Sequence, residues 1–314
     1  GFAVQRWTSR RFFVLANSLR AAIHSTYPNL DAAYQRYYDG EIGVDKILDA
    51  LLEAAAEAPA GKGNLDDLKT LMRQNSQANF YGFDEFGRRR QGQGLEAPRH
   101  PILGNAYIQD KIEYQDLVII AGLRWDYFDV DSFRFVDPAA PVRLAARTTV
   151  DLASMRPTRK FHHFSPRLGL SFQISDRTVF HGQYGRFSQM PRLGDMYTGG
   201  AALSLELAGG SFIPVPTAFD VEPVRTIQYE IGFDHQFTRS ASFDLTGFYR
   251  DVEGQLQVQR QKISPAAIDV EAYNFLDNVD FATTRGLELT FKLRRQRRLR
   301  AELNYTLADA RGTG

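Results

Sequence analysis

Six histidines, no cysteine and two short basic runs hold most of the chemical reach of this 314-residue chain. The missing cysteine excludes disulfide frameworks, thiolate zinc sites and cysteine nucleophiles together. His162 and His163 are adjacent, and neighbours on an extended segment point to opposite sides, which makes a poor chelate. Gly61-Lys62-Gly63 lacks the spacing of a phosphate loop and follows no strand. His181 and the strand serines offer the residue types of a hydrolase, but no Ser/His/Asp order, G-x-S-x-G or H-E-x-x-H accompanies them. No catalytic residue, metal site or cofactor is therefore expected, and the chain does not read as an enzyme. Arg294-Arg295-Gln296-Arg297-Arg298 and Arg88-Arg89-Arg90 are possible nucleic-acid signals. Against that, 38 Lys+Arg meet 37 Asp+Glu, and a net charge of +1 leaves no global footprint. The first run lies in a tight turn and the second in a loop, so both read as solvated charge and no nucleic-acid partner is expected.

The elements that must position any site fall into two compositional parts. Residues 17–75 are rich in Ala, Leu and charge, with apolar positions at Ile47, Leu48, Leu51 and Leu52, and read as helical. Gly43 and Asp45 mark a start, Pro59-Ala60-Gly61 a stop, and a second short helix is predicted from Asn64 as N-cap to Met72. Asn79 to Pro101 is Gly-, Arg- and Pro-rich and reads as loop. The longest apolar run is about seven residues, Leu117 to Leu123 with Gly counted, which excludes a transmembrane helix. Mean hydropathy is −0.35. The chain opens on Gly1 with no signal-peptide pattern and closes on loop-like Arg311-Gly312-Thr313-Gly314, so a piece of a longer chain is expected.

After Pro101 the period changes from 3.6 to 2. Ile108, Ile112 and Tyr114 oppose Gln109, Lys111 and Glu113; Leu117, Ile119, Leu123, Trp125 and Tyr127 oppose Gly122, Arg124 and Asp126. Leu168, Leu170 and Phe172 oppose Arg167, Gly169 and Ser171, and Phe180 and Tyr184 face away from His181 and Gln183. Tyr229, Ile231 and Phe233 oppose Glu230 and Asp234; Phe243, Leu245 and Tyr249 oppose Asp244, Thr246 and Arg250. Leu287, Leu289 and Phe291 oppose Glu288 and Lys292; Leu303, Tyr305 and Leu307 oppose Glu302 and Asn304. These make eight predicted strands of about 9–11 residues, most with one apolar and one polar face.

The connections discriminate between architectures. Within pairs the turns are short: Gln115-Asp116, Ser175-Asp176, Thr238-Arg239-Ser240 and Arg294 to Arg298. Between pairs they are long, about 129–164, 188–224 and 252–283. A soluble sandwich has no reason for that alternation. An outer-membrane barrel does, with tight periplasmic turns, elaborate extracellular loops and strands of about this length. Trp125, Tyr127, Tyr184, Tyr229, Tyr249 and Tyr305 sit toward strand ends on the apolar face, where an interfacial girdle belongs, although aromatics favour any strand. In a barrel Arg124, Asp126, Arg167, Gln183, Glu230, Arg250, Glu288 and Glu302 line the lumen; in a sandwich they simply face water. Half of each strand facing a polar lumen also accounts for the low mean hydropathy.

Several segments resemble TonB-dependent outer-membrane receptors. Tyr107-Ile108-Gln109-Asp110 leading to Gly122-Leu123-Arg124-Trp125-Asp126 resembles the family's "YxQD…GLRxD" hairpin, and Ser165-Pro166-Arg167-Leu168-Gly169-Leu170 its "SPRLGL" strand. Tyr184-Gly185-Arg186-Phe187 with Pro191, the stretch Thr226 to Gly232, and Arg285-Gly286-Leu287-Glu288-Leu289 resemble further strands, so the likeness covers about 100–314. The resemblance implies an all-β fold with a helical insertion: about 8–9 strands of an antiparallel meander from a barrel of roughly 22. Residues 1–104 would comprise the end of one strand plus a helical extracellular loop region, and 105–314 four transmembrane hairpins. It implies outer-membrane lipid as surroundings and a TonB complex acting through a plug domain absent from these residues. It also implies import of a scarce small ligand, such as a siderophore or oligosaccharide, captured by the loops. Tyr197, Phe212, Phe219 and Tyr273 are candidate loop contacts, with packing inside their own loops as the equal alternative. A structural or adhesive barrel without transport, and a soluble β-sandwich binding module, remain as alternatives. A fragment of such a barrel is expected to form an open sheet with two unpaired edges.

Overall fold

A computed structural model describes the chain apart from residues 14–15, 75–78, 142–149, 151, 201–202, 204–216, 265–271, 297–298 and 314. Nine strands form one antiparallel sheet: β1 (Phe2–Arg6), β4 (Ile102–Tyr114), β5 (Leu117–Asp129), β8 (Phe161–Ser175), β9 (Thr178–Gln189), β10 (Val224–Gln236), β11 (Ala241–Lys262), β12 (Ala272–Gln296) and β13 (Leu299–Gly312). Their spatial order is their order along the chain, and β1 and β13 are the two edges, so the sheet is open. Two short hairpins lie outside it, β2 (Arg11–Phe13) with β3 (Asn79–Tyr81) and β6 (Phe133–Phe135) with β7 (Met155–Pro157).

Register fixes the two faces, because directly paired residues point to the same side. One rung runs Tyr114, Leu117, Phe172, Phe180, Phe233, Leu245, Leu289 and Tyr305 across eight strands. The next rung is Glu113, Val118, Ser171, His181, Gly232, Thr246, Glu288 and Thr306. Apolar and polar rungs thus alternate across almost the whole sheet. The apolar side stays uncovered: Ile231, Leu303 and Leu307 are each more than half exposed. A soluble protein avoids an exposed apolar area on this scale, whereas lipid covers it at no cost. Among the described residues no helix is long and apolar enough to cross a membrane.

Tight turns at one end set this register. In the β4–β5 hairpin Gln115 takes φ +53, the left-handed conformation a two-residue turn demands. At the other end the ladder outruns the predicted strands. Residues 252–283, expected to be a loop, are largely strand: β11 continues to Lys262 and β12 starts at Ala272, the pair being 22 and 25 residues long. Beyond the lipid-facing band no apolar face is needed, so the hydropathy signal fades while backbone pairing continues. The described part of 129–164 likewise holds the β6–β7 hairpin. A bulge at Gly254, φ +76, bends the β11–β12 extension.

The region predicted helical contains four helices: α1 (Ala16–Thr26), α2 (Pro28–Tyr38), α3 (Ile47–Ala56) and α4 (Leu65–Gln74). Pro28 opens α2, where its missing N–H costs nothing. The α4 cap is reciprocal: Asn64 Oδ1 accepts from the Asp67 backbone N–H at 3.0 Å, and Asp67 Oδ2 accepts from that of Asn64 at 3.1 Å. The helices close over their own core of Ile23, Leu30, Leu51, Leu68 and Met72. A single-turn helix, α5 (Leu193–Met196), follows β9.

Candidate functional site

The eight candidate lining residues all fall on the polar face by register. Arg167 and Arg250 share a rung with Gln228, kept open by Gly122 and Gly185, which have no side chains to crowd the long ones. Gln183 and Glu230 are direct partners on the next polar rung; Glu288 pairs with Thr246, and Glu302 with Lys292. Arg124 and Asp126 stand nearest the long loops, in rungs with Ser165 and His163. Strand alternation predicts this parity; it does not say which residues touch.

Two clusters emerge from the contacts. Arg124 Nε donates to both oxygens of Asp126 at 2.9 and 3.0 Å, and Ser188 Oγ donates to the same carboxylate at 3.5 Å. Farther along, Arg250 Nε donates to Gln228 Oε1 at 3.2 Å, and Gln228 Nε2 in turn donates to Glu230 Oε1. The Arg167 guanidinium lies 4.7 Å over the Phe187 ring. Phe187, Gln189, Thr226, Gln228, Arg250 and Gln255 line a hollow of about 840 Å³ toward the long-loop end. The histidine pair splits as adjacent strand residues do: His162 stacks on Trp125 and His163 lies beside Asp126 on the polar face.

The loops above form a packed assembly. Tyr197, 2% exposed, sits among Tyr81, Val130, Met196 and Val221. Its hydroxyl donates to the Val130 carbonyl oxygen at 2.6 Å. Burial, reinforced by Tyr81 and Asp131, pushes its phenol above the ordinary range. Phe219 and Tyr273 pack with Phe135, Met155 and Leu203, and the Tyr273 hydroxyl donates to the Pro138 carbonyl oxygen at 3.1 Å. These three rings hold loops together and do not present themselves at the surface. Phe212 lies outside the described residues. Arg99, 3% exposed, donates to the Leu95 carbonyl oxygen at 2.9 Å and lies over the Phe133 ring; burial lowers its pKa.

Between the loop assembly and the strand ends runs a charged network that the sequence did not reveal. Asp220 accepts from Arg134 at 2.7 Å and from Arg159 Nε at 2.9 Å, and Arg225 donates to Glu222 at 2.7 Å. Asn278 binds both ways, its Oδ1 accepting from the Glu222 N–H at 2.6 Å and its Nδ2 donating to the Gly254 carbonyl at 2.6 Å. This side chain ties the loop to the bulge of the long hairpin. Its partners are more than twenty residues away, so no local pattern marks it. Among the described residues one group has metal-ligand spacing, His181 with Asp234 and Asp244.

Residues 4–314 match the family model described as TonB dependent receptor-like, beta-barrel. A comparison with curated protein sequences gives no match. Among solved structures, the FrpB iron transporter from Neisseria meningitidis is similar over 68% of this chain and 26% of its own, with 17% identity and a TM-score of 0.45. The outer membrane transporter YddB from Escherichia coli is similar over 76% and 27%, with 12% identity and a TM-score of 0.48. The Serratia marcescens hemophore receptor HasR, solved with its hemophore HasA and heme, is similar over 74% and 37%, with 15% identity and a TM-score of 0.47. The chain therefore spans about a quarter to somewhat over a third of the length of these proteins.

Proposed function

Because the chain belongs to the TonB-dependent receptor β-barrel family of the Gram-negative outer membrane, we propose that it is part of a receptor that captures a scarce small ligand and imports it. The observation carrying this reading is the two-faced sheet with its loops packed at one end. One side offers lipid a continuous apolar surface, and the other offers a polar wall leading away from the loop assembly. A ligand held by the loops would meet Arg124, Asp126, Arg167, Gln183, Glu230, Arg250, Glu288 and Glu302 along that wall. Arg250, Arg167 and the neighbouring amides suit an anionic or hydroxyl-rich molecule, since they supply donors without a nucleophile. A ferric siderophore and an oligosaccharide both have this chemistry. In this reading, opening the path needs a plug domain elsewhere in the whole protein and a separate TonB complex that acts on it.

The test is uptake by cells expressing the full-length gene, with and without TonB. Labelled ferric siderophores and labelled oligosaccharides serve as probes. Accumulation that stops when TonB is removed supports the proposal. Surface binding of these probes without any TonB-dependent uptake would instead favour an adhesive or structural barrel.

A further inference from the structure

Two carboxylates of like charge stand directly opposite each other on the polar face. Asp234 of β10 and Asp244 of β11 are Cα partners across the hairpin turn. Like charges in that position destabilise a sheet unless something positive lies between them. From β9 the imidazole of His181 reaches over to both: Nδ1 is 3.8 Å from Asp234 Oδ2, and Nε2 is 3.9 Å from Asp244 Oδ2. It can do so because its direct partner is Gly232, where a Cβ would come within 2.7 Å of His181 Nε2. One ligand atom from each of the three side chains lies within 4.8 Å of the others.

The hydrogen bonds select a tautomer. Thr246 Oγ1 donates to Asp244 Oδ1 at 3.2 Å, so the same oxygen accepts from His181 Nε2–H, 3.1 Å away. In the neutral ring that leaves Nδ1, on the side of Asp234, as the nitrogen able to bind a metal. A metal-binding histidine is normally fixed in this way, by donating its other ring N–H. We propose that His181 Nδ1, Asp234 and Asp244 bind a divalent first-row transition metal, with zinc the best match to one imidazole and two carboxylates. Bonds of about 2.0–2.2 Å on Nδ1 would need both carboxylates, the exposed Asp234 and the partly buried Asp244, to turn toward that nitrogen. The ion would clip β9, β10 and β11 together on the polar face beside their short turns, whatever the loops capture.

The full-length protein, folded in detergent and stripped with chelator, is titrated with Zn2+ by calorimetry and with Co2+ by visible absorption. His181→Gln, Asp244→Asn and Gly232→Val are measured alongside, with heat-modifiable gel mobility as the check on folding. The expected result is that each folded variant binds one equivalent less than the wild type and loses the cobalt band from the imidazole site. Equal stoichiometry and unchanged spectra in the wild type and any folded variant overturn the proposal. The wild type alone is also decisive, since a protein that binds neither ion at micromolar concentration has no such site.

Discussion

Tyr197 and Val130, 67 residues apart, are joined by a hydrogen bond of 2.6 Å from the phenol to the carbonyl oxygen, inside a shell of Tyr81, Met196 and Val221. The segment after β9 is thereby fastened to the segment after β5. Replacing Tyr197 with Phe keeps the ring but leaves a buried carbonyl without a partner, a loss of about 1–3 kcal/mol. We expect amides of residues 193–197 and 130–133 to exchange faster in Tyr197→Phe, while those of the strands are unchanged.

The same bond has a pH dependence of definite sign. Burial raises the Tyr197 phenol above its ordinary value, and a group whose folded pKa is raised contributes fully below its unfolded pKa. The loop assembly should keep its protection through neutral pH and lose it only above about pH 10, where an unfolded tyrosine ionises. Hydrogen exchange of these segments between pH 7 and 11 checks this, with Tyr197→Phe as the variant lacking the transition.

Parity of the faces predicts a sharp contrast between neighbouring positions. Ile231, 64% exposed, lies on the apolar side, and Ile231→Lys would put a charge into lipid at a cost of about 2–4 kcal/mol near the midplane. Gln183→Lys lies on the other side, opposite Glu230, and should fold as the wild type does. The folded fraction in lipid vesicles, read by heat-modifiable mobility, compares the two. Equal folding would mean that neither face meets lipid, and a reversed contrast that the faces are exchanged.

Arg124 and Asp126 form an ion pair in which the carboxylate is 7% exposed and the guanidinium 35%. Removing only the cation leaves a nearly buried charge that Ser188, at 3.5 Å, satisfies poorly. Arg124→Met should therefore destabilise more than the double variant Arg124→Met/Asp126→Leu. Denaturant unfolding of both variants gives the comparison.

For the helical region the cap at Asn64 gives the simplest measurement. Asn64→Ala removes the acceptor for the Asp66 and Asp67 N–H groups and should cost about 1 kcal/mol. Faster exchange at the start of α4, with the sheet unaffected, is the expected readout.

Much of the sheet was legible in the sequence. Strands β4 to β13 of the main sheet follow from alternation and tight turns, and the start of α4 follows from Asn64 as N-cap. The helices at Ile47–Ala56 and Leu65–Gln74 answer to the predicted start at Gly43 and Asp45, the stop at Pro59-Ala60-Gly61 and the cap at Asn64, whereas the division of the earlier stretch into α1 and α2 at Pro28 was not read. The charged network around Asp220 and Asn278 was not legible, since its partners come from four separate segments.

The sequence by itself determined which side of each strand is apolar, because a period of two is local and a two-residue turn pins the next strand to the last. Tertiary structure alone decided how far β11 and β12 run beyond that band, because backbone pairing persists where no hydropathy signal is required. It also decided that Tyr197, Phe219 and Tyr273 are buried, and that His181 meets Asp234 and Asp244. Burial of a loop aromatic and contact across three strands both depend on segments distant in the chain coming together, which no local spacing records.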